Sequence, residues 1–333
     1  MDRSTFFKCF AIGAAGAATG CQAGDLSANS APLSASCWLG SNLFLGESPT
    51  SGVRRLGSQK HFTLWHAELE PNYRVKLGEV VIMELQHGLP GLVTRDGTFR
   101  KAREGDKVNP QTGPVYVEGI EPGDALAIDL LEIRVGDWGY AGGRIFELAD
   151  GYAIFHDKLR LPLNPMIGGA GIAPAEGEMD TKRPADTGGN LDCKEVRAGS
   201  TLVLTAQVPG ALVGMGDTHA LQGDGEIAGQ GIETDAEVLV RFRKLPEKLS
   251  DRPVIMRREF VATLSAQEDL TEAAWQATDD MANLVAAVTG HNPRDARMLV
   301  NLVGDLKINQ IVDPTKGARM EMPTWVFGVG AAD

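Results

Sequence analysis

Apolar and polar positions along this chain alternate mostly with a period of two. In an extended backbone that spacing puts residues i and i+2 on one face. Leu126, Ile128 and Leu130 alternate within Ala125–Val135, and Leu202, Leu204, Ala206 and Val208 do the same. Val238, Val240 and Phe242 repeat the pattern further on. Residues 78–88 carry apolar side chains on both faces and read as a buried strand ending at His87. A shorter strand at 115–117 is entered through a turn at Asn109-Pro-Gln-Thr-Gly-Pro114 and left through Glu121-Pro-Gly-Asp124. Only the C-terminal part has helical spacing. Ser265-Ala-Gln-Glu268 offers a capping box, and Leu270, Ala274, Ala277, Met281, Leu284, Val285 and Val288 follow until Gly290. Asn292-Pro293 then supplies a cap and first-turn proline for a second helix to about Val303. Residues 136–160 resist placement, and 162–198 read as mostly irregular. The pattern predicts a mainly β body with a helical hairpin at about 266–303.

The body is expected over residues 59–330. Ahead of it, residues 22–58 are rich in Ser, Ala and Gly and read as a flexible linker. Residues 1–21 read as an export leader: Arg3 and Lys8 precede the small apolar run Phe10-Ala-Ile-Gly-Ala-Ala-Gly-Ala-Ala18, too short to span a membrane. Ala18-Thr-Gly-Cys21 resembles a lipobox, which would make Cys21 a lipid anchor. Arg3-Ser-Thr-Phe-Phe-Lys8 resembles a twin-arginine motif with Ser4 in place of the second arginine. The expected location is the periplasm or a membrane surface. Cys37 and Cys193 would then meet an oxidising compartment, where they either pair or stay free.

Charge narrows the partners. The 333 residues carry a formal charge of -12, and no Lys/Arg run interrupts the acidic balance. Nucleic acid is therefore not an expected partner. Forty glycines suit a chain of many short strands joined by tight turns.

The chemistry concentrates in Val213-Gly-Met-Gly-Asp217-Thr-His219-Ala-Leu-Gln-Gly-Asp224-Gly-Glu226-Ile-Ala-Gly229. Asp217 and His219 are two apart, as are Asp224 and Glu226, so in an extended chain each pair would point one way. Such a stretch suits either a metal or acid–base site or a polar hairpin loop whose carboxylates face water.

Four stretches resemble the acetamidase/formamidase family: Asn109-Pro-Gln-Thr-Gly-Pro-Val-Tyr-Val-Glu-Gly119 with Glu121-Pro-Gly-Asp124, Pro165-Met-Ile-Gly168 through Pro174, Gly188-Gly-Asn-Leu-Asp192, and Gly216-Asp-Thr-His-Ala-Leu-Gln-Gly-Asp-Gly-Glu226. A late segment, Val303-Gly-Asp-Leu-Lys-Ile-Asn-Gln-Ile-Val-Asp-Pro314, is also similar. The resemblance implies a β-sandwich of CUB-like or jelly-roll type, a homo-oligomer, and hydrolysis of the C–N bond of small linear amides of the formamide or acetamide kind. It also implies dependence on zinc or another divalent metal. Two departures stand out: relatives are typically cytoplasmic, and they tend to carry Asp where this chain has His87. Both residue types bind zinc, so that difference is either a ligand swap or an altered site.

On that resemblance His87, Asp217 and His219 are the expected metal ligands. Glu118, Asp224 and Glu226 are the candidates for acid–base work, and Asn109, Asn190 and Asp192 for orienting ligands or binding the substrate amide. Replacing His219 by Ala should remove metal and activity together. A covalent alternative uses Cys193, in Asp-Cys-Lys-Glu, as a nucleophile. Two further alternatives are a lactamase-like hydrolase of a cyclic amide and a surface-tethered binding protein without catalysis.

Overall fold

In the computed structural model, which describes residues 52–156 and 158–328, the alternation within Ala125–Val135 sorts side chains onto two cores. Leu126, Ile128 and Leu130 enter a core shared with Val115, Val117, Ile167, Val213 and Met215. Ala125 and Ala127 turn the other way, toward Met281, Val285 and Val288. The neighbouring strand Ser200–Thr205 splits identically, with Leu202 and Leu204 in the first core and Val203 in the second. Each large side chain so buried contributes about 1.5–3 kcal/mol. A sheet with two apolar faces needs a cover on both.

Those covers are a second sheet and a pair of helices. The larger sheet has nine strands in the order Arg54–Leu56, Val80–Leu85, Ala236–Lys244, Ala125–Val135, Ser200–Thr205, Val254–Met256, Phe260–Gln267, Lys316–Pro323 and Asp305–Gln310. The second, of seven, runs Pro184–Ala185, Gly188–Asn190, Met166–Gly171, Val213–His219, Gln111–Glu118 and His61–Phe62, with Tyr73–Lys76 also paired to Gln111–Glu118. Their apolar faces meet in the first core, so the expected sandwich is present. The helices Leu270–Thr289 and Pro293–Val303 pack on the opposite face of the nine-stranded sheet.

Several expectations shift in detail. Ser265 does not cap a helix: it lies in the strand Phe260–Gln267, and the N-cap is Asp269, whose Oδ1 accepts from the Thr271 and Glu272 N–H groups. The helix ends at Gly290 in the left-handed region, and Asn292 caps the second helix, both as expected. The turn signal at 109–114 lies largely inside the strand Gln111–Glu118, where Pro114 sits in a cis peptide bond and the φ of 134° at Gly113 lets the chain pass close to Val213. Residues 162–198 are mostly irregular, as expected, but short strands interrupt them. These are Met166–Gly171, Glu178–Asp180, Pro184–Ala185 and Gly188–Asn190, whose glycines dilute any apolar alternation. Trp138–Ala141, Arg144–Ala149, Tyr152–Phe155 and Leu159–Pro162 form a four-stranded sheet of their own. Arg54–Leu56 pairs in parallel with Val80–Leu85, so the body starts inside the segment read as a linker. The leader, the rest of that linker, and Cys37 with its pairing to Cys193 lie outside the described residues.

Candidate functional site

The strand Val213–His219 is buried along its whole length, between Met166–Gly171 and Gln111–Glu118. Its last residues bring Asp217 and His219 to one end of the seven-stranded sheet. Met166 pairs with His219 and Gly169 with Gly216, and the chain beyond Met166–Gly171 returns through Gly188–Asn190 to place Asp192 beside them. The Asp192 N–H donates to the Gly168 carbonyl at 3.1 Å. One ligand atom from each of Asp192, Asp217 and His219 lies within 4.8 Å of the others, and all three residues are buried.

Glycine makes this approach sterically possible. A Cβ at Gly168 would stand 2.6 Å from Asp192 Oδ1 and 2.7 Å from the Asp217 carbonyl. One at Gly88 would stand 2.5 Å from Asp217 Oδ1. The backbone is strained here as well. Asn109, Asp192, Asp217 and Glu226 all adopt positive φ, between 41° and 54°, a region that side chains normally avoid.

A polar lattice fixes the carboxylates. Asn109 Nδ2 donates to Asp217 Oδ2 at 3.1 Å and to Asn190 Oδ1 at 3.2 Å. Asn190 Nδ2 donates to Asp192 Oδ2 at 2.7 Å and to Asp313 Oδ2 at 3.0 Å. Asn109 and Asn190 thus have their amides committed to orienting acids, and Asp192 belongs to the group that could hold a metal ion. The Nδ1 atom of His219 meets Gln222 Oε1 at 2.6 Å, and its Nε2 lies 3.1 Å from Glu233 Oε1 and 3.7 Å from Asp217 Oδ1. Asp192 Oδ1 and His219 Nε2 are both buried without a hydrogen-bond partner. An unpartnered carboxylate oxygen converging with a buried imidazole nitrogen and a second carboxylate is what a bound divalent cation would satisfy.

Electrostatics agree. Burial opposes a charged His219, yet the Glu233 and Asp217 carboxylates outweigh it and hold its pKa well above 6.5. Burial, then the Glu226 and Asp217 charges, push Asp192 well above the usual carboxylate range. Asp217 is raised by burial and by Glu233. Burial raises Glu226 to about 7, opposed by His219 and reinforced by Asp217 and Glu233. Burial likewise lifts Asp313 to about 6. A concentration of acids that resist ionisation together is relieved by positive charge.

Other expected residues stand elsewhere. His87 is buried next to the site, but its Nδ1 accepts the Leu89 N–H at 3.1 Å and its ring lies edge-on to Trp138. It is outside the three-residue group, which contains Asp192 beside Asp217 and His219. Glu118 is exposed at the far end of Gln111–Glu118, roughly 20 Å along the strand from Gln111. It cannot act on chemistry at the other end. Asp224 does not accompany Glu226: it pairs bidentately with Arg319 at 2.8 and 2.9 Å and with Lys194 at 2.8 Å. Gly225, at a φ of 95°, breaks the extended backbone between them, so the period of two fails. Cys193 is buried, and that burial pushes its thiol up to about 11, which leaves no thiolate to attack.

Glu233, Gln222 and Asp313 complete the site without having been singled out for it. Gln222 and Asp313 lie inside stretches that carry the family resemblance, whereas Glu233 follows an irregular loop and left no periodic signal.

The comparisons with known proteins bear on this geometry. The sequence profile of the Acetamidase/Formamidase family matches residues 53–172 and 171–329. The crystal structure of an acetamidase from Bacillus halodurans is 33% identical with a TM-score of 0.78, covering 83% of this chain and 100% of that one. A recombinant predicted acetamidase/formamidase from Thermoanaerobacter tengcongensis is 31% identical with a TM-score of 0.80, covering 84% of this chain and 99% of its own. The acetamidase of Mycolicibacterium smegmatis is 25% identical over 49% of this chain and 60% of its own length. The chain spans 58% to 64% of the curated relatives it matches. With the profile covering nearly the whole described body and solved relatives sharing its fold, this chain belongs to the Acetamidase/Formamidase family.

Proposed function

We propose that this chain hydrolyses the C–N bond of small linear amides to a carboxylate and ammonia, using a divalent cation, zinc, held by Asp192, Asp217 and His219. The observation that carries this is the convergence of the unpartnered Asp192 Oδ1, His219 Nε2 and the Asp217 carboxylate inside an acidic, buried site. Family membership supplies the reaction class. When bound, zinc lowers the pKa of water toward roughly 7 and polarises a carbonyl.

The chain's own residues do the rest. Glu226, nearly buried and with a pKa near neutrality, accepts a proton from the attacking water and returns it to the departing nitrogen. A carboxylate of ordinary acidity would be too weak a base to take that proton efficiently. Asn109 and Asn190 keep the ligand carboxylates at fixed orientation, so little reorganisation accompanies the reaction. Glu233 holds the Gly88 N–H and faces His219 from the side opposite Gln222.

The test is elemental analysis of the purified chain together with ammonia release from formamide, acetamide and longer linear amides. About one zinc per chain with ammonia release, both lost in His219→Ala, is the expected result. Ammonia release that survives both chelation and His219→Ala would overturn it. Export and lipid attachment at Cys21 rest on the leader motif, and labelled fatty acid that stays on a Cys21→Ser chain would refute the attachment.

A further inference from the structure

We infer that Gln222 is a positioning residue that locks His219 with its proton on Nδ1 and, with the other end of the same amide, anchors the backbone of Asp192. The inference rests on the proposal that Asp192, Asp217 and His219 hold a cation.

The assignment of the amide follows from its partners. The Asp192 carbonyl can only accept, so the Gln222 atom 2.7 Å from it is the Nε2 donor. The Oε1 acceptor therefore faces His219 Nδ1 at 2.6 Å, and that nitrogen carries the hydrogen. Nε2 of the ring faces Asp217 and Glu233 and is the nitrogen that would turn a lone pair to a cation once its proton is displaced. Gln222 is 6% exposed and His219 1%, so water does not compete for either bond. The opposite tautomer would set two acceptors against each other in a dry site and cost about 1–3 kcal/mol.

The second bond acts on Asp192. That residue adopts a φ of 41°, which its side chain disfavours, and its N–H and carbonyl are held by the Gly168 carbonyl and by Gln222. One glutamine therefore couples two of the three ligand-bearing residues, His219 at the end of a strand and Asp192 in the segment after Gly188–Asn190. A leucine there would fill similar space and supply neither bond.

The experiment is histidine-selective ¹⁵N NMR on the full chain, with and without zinc, alongside a zinc titration followed by calorimetry. A slowly exchanging His219 Nδ1 proton is expected in the wild type in both states, because imidazolium and the Nδ1–H tautomer both carry it. Gln222→Glu keeps an acceptor at that nitrogen and should keep the signal. Gln222→Leu should lose it and bind zinc about 10–100-fold more weakly. A wild-type ring protonated on Nε2 alone, or a Gln222→Leu chain that keeps both the slow proton and wild-type zinc affinity, would overturn the inference. If the wild type binds zinc but releases no ammonia, the amidase reading fails while this one stands. If it binds no zinc, the Nδ1 proton still decides the role of Gln222.

Discussion

Oε1 of Glu233 lies 3.1 Å from Nε2 of His219, and the other oxygen of the same carboxylate accepts the Gly88 N–H at 3.0 Å. The acid is thus pinned by backbone on one side and aimed at the imidazole on the other. Burial alone would favour a neutral ring, and Glu233 is the foremost group reversing that.

Glu233→Gln keeps the shape and removes the charge. In the metal-free chain the His219 titration midpoint should fall, as followed by histidine NMR against pH. Zinc affinity should drop about tenfold, in line with other residues that support ligands from behind. An unmoved midpoint would mean that Asp217 by itself holds the ring charged.

The metal-free protein should lose stability as pH rises from about 4.5 to about 7, and further as it climbs through the raised His219 pKa. Glu226 is raised from 4.5 to about 7, so between those values the native chain keeps a proton that the unfolded chain releases. Its contribution to unfolding free energy falls by roughly 1.4 kcal/mol per pH unit across that window. His219 acts in the same sense: its pKa is raised, so its stabilising charge is complete below 6.5 and is lost as pH climbs through the folded value. Zinc binding, which needs these groups deprotonated or neutral, should flatten the slope. Calorimetric Tm values with chelator and with zinc would check both; a metal-free Tm that rises over the range contradicts the account.

Gly168→Ala should damage the site without touching a polar group. The added Cβ would lie 2.6 Å from Asp192 Oδ1 and 2.7 Å from the Asp217 carbonyl, and neither can retreat through the lattice that holds them. A loss of about 1–3 kcal/mol in urea unfolding is expected, with weaker zinc binding. Wild-type zinc affinity in this variant would show that the site can widen.

Cys193→Ala should leave amide turnover within about twofold of wild type, because a buried thiol raised to about 11 is not a nucleophile at neutral pH. Loss of all turnover in a folded, zinc-loaded variant would restore the covalent mechanism.

Much of the fold follows from local physics that a sequence displays directly. Alternation at Leu126, Ile128 and Leu130 decides which face each side chain takes, and the same rule places Val238, Val240 and Phe242 in the first core. Gly290 and Asn292 punctuate the helices because their conformational and capping preferences are properties of the residues themselves. Asp217 and His219 share one end of one strand, so their partnership was legible too. What the chain does beyond a few residues was not. Asp192 becomes the third member of the group because Gly188–Asn190 pairs with Met166–Gly171, a register set by glycines that leave no apolar signature. Asp224 leaves the site for Arg319, 95 residues away, since a buried guanidinium outcompetes the local geometry that a two-residue spacing suggests. Glu233, Gln222 and Asp313 reach His219, Asp192 and Asn190 from loops whose paths only packing determines. Side-chain direction is a local property and can be read along the chain; convergence of charges is a long-range one, fixed when two sheets close around a buried strand.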